Sequence, residues 1–302
     1  MRPDSARSAP IGALVSPTTG HSQVRRLLAR ILFASPDHQL QQGESIGTKA
    51  QDHCTFWPLR SRTNKDNGGL KKHRIESMLA ERPSLQTLHR DLTPGLVKML
   101  SSRRGPGQSN LTVAERRAWD ILNRVGEIDN CMKAMRIAIA GIEAQAKSAS
   151  PDVDQHRYHV ENFLLRLTGL FDRGCRFAGI VIGMQADQVD RIRGNADVIA
   201  ALRKVPGRAA NVLDEIKRLF DPYWGQRNLV AHSAEFSDGR LGLFDGVSQV
   251  KVLGVDPVAV AHLMSDHFHD TASSLIQLAD AAQVLLARLV EESMLVVSPS
   301  IR

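Results

Sequence analysis

Apolar residues between positions 121 and 142 recur with a spacing that a helix explains. Ile121, Val125, Ile128, Met132, Met135, Ile139 and Ile142 follow one another in steps of 4, 3, 4, 3, 4 and 3. Such a heptad stripe predicts one long helix packed along its length against another helix. Thr112-Val-Ala-Glu115 stands just ahead and fits a capping box, in which the Thr hydroxyl and Glu carboxylate satisfy orphan amides of the first turn. The two methionines of the stripe read as core filler.

A second stripe, through Val160, Phe163, Leu164, Leu167, Leu170 and Phe171, runs toward Met184. Ser150 is its expected cap and Pro151 its first helical residue. Gly169, Gly174, Gly179 and Gly183 punctuate it. An interior glycine costs a helix about 1 kcal/mol, so a kink or a close helix crossing is expected there. Shorter helices are expected near 197–204 and 208–220. Asp238-Gly239 and Asp245-Gly246 carry turn chemistry and Val247–Val252 alternates, which predicts a small β-hairpin within 236–255. Asp256-Pro257 opens a last helix to about Glu292, with Val260, Leu263, Met264, Leu275, Leu278, Ala282, Leu285 and Leu289 in its stripe. The fold class expected is all-α, an antiparallel helical bundle with a β-hairpin insert.

Before residue 111 the pattern is different. Apolar residues come in short bursts, broken by Pro3, Pro10, Pro17, Pro36, Pro58, Pro83, Pro94 and Pro106. The charge divides at the same place. Residues 1–110 hold 17 Lys/Arg against 8 Asp/Glu, while residues 111–302 hold 22 against 24. The net +7 of the 302-residue chain therefore belongs to its first third. Such composition buries too little surface to offset chain entropy. Residues 1–110 are accordingly expected to form a basic, mostly disordered arm, with short helices at Val24–Leu32 and Leu70–Ala80 and a linker at Ser101–Asn110. Residues 111–302 are expected to form the helical domain. Three roles stay open for the arm: non-specific contact with nucleic-acid phosphates, organellar targeting by its Arg-rich first 36 residues, or no folded role.

Composition narrows the function classes. With 5% aromatics, 2 Tyr and 3 Trp, an aromatic-rich β-sandwich or a base-stacking platform is not expected. The longest apolar run, Phe177–Met184, is far shorter than the roughly 20 residues of a bilayer span, so no membrane role is expected. Three cysteines, Cys54, Cys131 and Cys175, lie far apart in no metal-like spacing, which suits a reducing, cytoplasmic setting.

Most chemistry gathers in Gln226-Arg227-Asn228-Leu229-Val230-Ala231-His232. On a helix Asn228 and His232 are i,i+4 and about 40° apart, so the amide can orient the imidazole. Arg227 lies about 140° from His232 and reaches the same site only if its side chain wraps or the helix begins near Gly225. From 29 Arg, 9 Asn and 11 His, chance yields about 0.03 instances of Arg-Asn-x-x-x-His in such a chain.

This segment resembles the Arg-Asn-x-x-x-His motif of the HEPN superfamily, and the resemblance covers residues 111–302. It implies a helical bundle that pairs as a homodimer, with two motifs in a shared cleft. It also implies a metal-independent endoribonuclease acting on RNA, of the kind found in toxin–antitoxin and defence systems, with an antitoxin protein as a further partner. His232 would be the general acid/base, Arg227 the phosphate contact, and Asn228 the polar position beside it. Glu161, on the second helix, would be the supporting acidic residue. No cofactor or metal is implied.

Other clusters point less clearly to chemistry. His262, His267 and His269 sit near Asp266 and Asp270, but no His pair has the i,i+4 spacing of a zinc helix, so a solvated face is expected. Neither a Gly-rich phosphate loop nor a Gly-x-Ser-x-Gly elbow is present. Besides the ribonuclease, a non-catalytic HEPN-like scaffold that binds nucleotide, RNA or protein remains open. So does a helical interaction protein in which the motif is accidental.

Overall fold

A computed structural model describes residues 78–101, 111–232, 236, 238–249 and 255–297. Among them no strand occurs, and the class is all-α. The helices are α1 (Gln86–Ser101), α2 (Val113–Ala146), α3 (Val153–Val181), α4 (Ala186–Asp190), α5 (Gly194–Leu202), α6 (Ala209–Phe220), α7 (Trp224–His232), α8 (Gly239–Gln249) and α9 (Pro257–Val297). The described residues fall into two compact units. The smaller contains 238–249 and 255–262, and the larger contains the rest.

In the larger unit, α2 begins as its sequence dictates. Thr112 Oγ1 accepts from the Glu115 amide at 3.2 Å, and Glu115 Oε2 accepts from the Thr112 amide at 2.7 Å. All seven residues of the heptad stripe are buried. The face they form meets α3, which runs antiparallel. Arg117 Nη2 donates to the Val181 carbonyl, Cys131 Sγ to that of Arg166, and the His159 ring covers Gly141. A Cβ on Gly141 would collide with that ring, so the glycine leaves the space in which the imidazole lies.

Helix α3 starts later than expected. Asp152 is its cap, its Oδ1 accepting from the amides of Asp154 at 2.8 Å and Gln155 at 3.1 Å. Ser150 instead bonds back to Ser148. An ionised carboxylate is the stronger acceptor for the orphan amides, so Pro151 lies outside the helix. The expected close crossings are present. Gly174 lies under Leu289, and a Cβ on Gly179 would come within 2.6 Å of Val189 and 2.7 Å of Val198. Gly183, at φ +88°, turns the chain after α3.

Two expectations are corrected. Residues 79–101 are not part of a disordered arm: two 3-10 turns, Leu79–Glu81 and Pro83–Leu85, lead into α1. Leu79, Leu85, Leu88, Leu92 and Met99 are buried, and the elements rest on α2. The amides of Leu79 and Ala80 both donate to the buried carboxylate of Asp129. Pro94 sits at an exposed position inside α1 without ending it. Residues 1–77, including Val24–Leu32, and most of the linker lie outside the described residues.

The second correction concerns the β-hairpin, because residues 239–249 form α8. Asp238 Oδ1 accepts from the amides of Arg240 and Leu241, so Asp238-Gly239 is a helix start and not a hairpin turn. Leu241 and Phe244, three apart, are buried. That pair obeys the helical period, while the alternation read in Val247–Val252 extends past the described residues.

Helix α9 begins at Pro257 as expected, with Asp256 Oδ1 accepting from the Val258 amide. Its span Pro257–Val296 is long and apolar enough to cross a membrane by length and composition, and half of its most apolar window is buried in the protein. Within the larger unit, Ser265 donates to the Ala146 carbonyl and Arg136 to Asp280 at 2.7 Å.

Glu115 joins the cap to Lys98 of α1 at 3.2 Å. The Thr112 backbone amide, ahead of Lys98, holds its carboxyl below the usual carboxylate range. A carboxylate with a depressed pKa stabilises the fold at neutral pH, and this contribution vanishes as pH falls through its folded pKa, below 4.5. Glu115→Gln should therefore lower the melting temperature at pH 7. The gap from the parent protein should close as the pH is taken below about 4.

Candidate functional site

The Gln226–His232 segment lies in α7. Its approach is fixed by burial: α6 ends at buried Phe220, and the 3-10 turn Asp221–Tyr223 carries Tyr223 into the interior. Burial pushes the Tyr223 phenol pKa up. The helix that follows packs against α3, yet none of its nine residues is buried.

Phe236, four residues beyond His232, is buried, and its backbone is gripped on both sides. Its amide donates to Glu161 Oε1 at 2.6 Å, and its carbonyl accepts from Arg157 Nε at 3.1 Å. Arg157 Nη1 in turn donates to Asp154 at 2.6 Å. Glu161 is therefore committed to a backbone amide and acts as a positioning residue.

Within α7, Asn228 and His232 are both exposed and share the i,i+4 face of the helix. Arg227 is half-buried, and its Nη1 donates to the neighbouring Asn228 Oδ1 at 3.1 Å. The Asn228 carbonyl oxygen thus serves Arg227, and among the described residues no hydrogen bond reaches the His232 ring. Arg227 Nε and Gln226 Oε1 are shut away from solvent with no partner among the described residues. Leu229, 53% exposed, leaves an apolar surface beside these polar groups.

The other candidates separate from this segment. His262 and His269 are exposed. His267 lies 5.8 Å from the ring of His156, which is fully buried and stacked on Phe268 at 3.8 Å. Among the described residues no group of three His, Cys, Asp or Glu side chains is arranged to hold a metal ion. Met132 and Met135 are buried in the core. Neither described cysteine is a ready nucleophile: burial raises the Cys131 pKa, and burial pushes that of Cys175 up to about 12. Sequence inspection passes over Arg157 and Phe236. The one available signal is an Arg in the turn before an apolar stripe, which by itself is indistinguishable from a surface charge.

If the grip on Phe236 orders α7, Arg157→Ala/Glu161→Ala should raise amide hydrogen exchange across residues 224–232 by an order of magnitude or more, leaving protection in α2 unchanged. Equal exchange in parent and variant would show that α7 is held by other contacts. No protein-family model, curated protein or solved structure matches this chain.

Proposed function

We propose that this protein is a HEPN-like, metal-independent endoribonuclease whose working surface is α7, with the larger unit arranged as an antiparallel bundle. One observation carries this reading. A helix bearing Arg, Asn and His has no buried residue, while Tyr223 just before it and Phe236 beyond it are buried, and the Phe236 backbone is held by Glu161 and Arg157. A fold that fixes a helix by its ends and keeps its face open is suited to presenting that face to a ligand.

The chemistry follows from the residue types. Cleavage of an RNA phosphodiester needs a base for the 2′-hydroxyl proton, an acid for the leaving oxygen, and positive charge for the phosphorane. His232 supplies proton transfer worth about 10²–10⁴-fold. The Arg227 guanidinium, released from Asn228, suits phosphate geometry better than a lysine would. One α7 offers one imidazole, so a second copy facing it across a two-fold axis completes the acid–base pair. In this reading the exposed Leu229 contributes to the surface between copies, and an antitoxin-like protein would act by covering α7.

A second reading, a non-catalytic scaffold binding RNA or nucleotide, has its own support. His232 has no orienting hydrogen bond among the described residues, and Arg227 is engaged by its neighbour. Mutagenesis separates the two. His232→Ala and Arg227→Ala should each lower cleavage at least 100-fold with an unchanged helical circular-dichroism signal, and Asn228→Ala should lower it less. Cleavage should withstand EDTA and leave 2′,3′-cyclic phosphate ends. Full activity in His232→Ala would refute the catalytic reading, and RNA binding without cleavage would support the scaffold.

A further inference from the structure

The solvent face of α3 carries side chains that neither fill the core nor hold α7. Tyr158, Asn162, Leu165, Arg166, Gly169 and Arg173 lie within an arc of about 100° on an ideal helix. Tyr158 is 61% exposed and Leu165 40%. The two arginines share with Arg117, Arg218 and Arg227 the lack of an acidic partner among the described residues. Arg124, Arg136, Arg176, Arg203 and Arg288 each face an Asp or Glu. Arg166 and Arg173 meet only neutral acceptors among the described residues. Arg166 Nε donates to Asn162 Oδ1 at 3.4 Å, and Arg173 Nη1 to the Gly169 carbonyl at 3.0 Å.

Gly169 makes the second arrangement comfortable. A Cβ there would stand 2.6 Å from Arg173 Nη1, so its absence lets the guanidinium lie across the helix backbone. The Arg166 carbonyl accepts from the buried Cys131 thiol, so this part of the strip adjoins α2. At its other end Tyr158 follows Arg157 and precedes Glu161 by three positions, the residues that hold the backbone of Phe236. The strip runs for about 22 Å along α3.

Two uncompensated guanidinium groups about 10 Å apart and one exposed aromatic ring match the chemistry of single-stranded nucleic acid. Cations contact successive phosphates and a ring stacks under a base, whatever its identity. We propose that the strip from Tyr158 to Arg173 binds the single-stranded RNA whose scissile bond reaches α7, with Arg166 and Arg173 on phosphates and Tyr158 under a base. This rests on the RNA reading of α7 and adds the path of the substrate to it.

The test uses the full chain carrying His232→Ala, so that RNA stays intact, and measures fluorescence anisotropy of labelled oligouridine over a salt series. Adding Arg166→Ala/Arg173→Ala should weaken binding about tenfold or more. It should also flatten the slope of log affinity against log salt by about 1.4, or 0.7 for each lost phosphate contact on a single strand. Arg166→Lys/Arg173→Lys should restore most of that slope, and Tyr158→Ala should weaken binding about fivefold with the slope unchanged. Parental affinity and slope in the double alanine variant would overturn the strip. Loss of cleavage on Arg227→Ala in the otherwise native chain would then still support the α7 site. If the parent binds no oligouridine, the strip falls together with its RNA premise.

Discussion

The approach of α2 to α3, with the His159 ring over Gly141, is the contact beside which α4, α5, α6 and α7 are laid against α3. It brings the Cys131 thiol to the Arg166 carbonyl midway along and Arg117 to the end of α3. The stripe from Ile121 to Ile142 is buried. Each such side chain contributes about 1.5–3 kcal/mol of burial, an upper figure because unfolded chains already hide some surface. With one side of α3 committed to α2, its other sides receive what comes later in the chain. Leu289 lies over Gly174, Val189 and Val198 lie over Gly179, and Phe236 is held by Arg157 and Glu161.

Buried polar groups in this interior are used as fasteners. Asp129 is buried, and burial raises its pKa even though the Ala80 and Leu79 amides pull it down. A carboxylate in that setting costs desolvation energy, offset in part by binding two amides that no helix could satisfy. Glu161 treats the Phe236 amide in the same way from a more open position. Both carboxylates fix a stretch outside the α-helices onto a long helix, one ahead of α1 and one behind α7. Side-chain oxygens do this where the backbone has run out of its own partners.

How much of this was legible in the sequence depended on the range of the interaction. The heptad stripe and capping box of α2 are local patterns, and both appear as expected. Residues 79–101 were misjudged because Pro83, Pro94 and nearby charges look like breakers, although Leu85, Leu88, Leu92 and Met99 keep a helical step of 3, 4 and 7. A proline at an exposed helix position costs about 3 kcal/mol locally, and packing on α2 outweighs it. The hairpin expectation failed for a related reason. Asp-Gly serves equally as a turn or as a helix cap followed by its first residue, and the burial of Leu241 and Phe244 decides between them. Of the candidate site, the placement of Arg227, Asn228 and His232 on one short helix was readable. The engagement of Asn228 by Arg227 and the service of Glu161 to residue 236 were not, since each depends on side-chain geometry or on partners 75 positions apart.

The segment from 224 to 232 illustrates a constraint on any helix that must offer Arg, Asn and His to a ligand. Such a helix cannot earn its place by burying a face, because burial would strip those groups of water and of access. Nor is nine residues long enough to be stable alone. The remaining solution is to anchor the chain on each side of it. Tyr223 immediately before and Phe236 shortly after are both buried, and between them no side chain of α7 is. The two aromatic anchors come from different packing environments, α6 and its 3-10 turn on one side, the first turns of α3 on the other. Their separation along the chain fixes where α7 lies without fixing what its surface touches. The shut-in Arg227 Nε and Gln226 Oε1 follow from the same compromise. A buried polar atom without a partner costs about 1–3 kcal/mol, and a ligand that supplied the missing partner would relieve that cost.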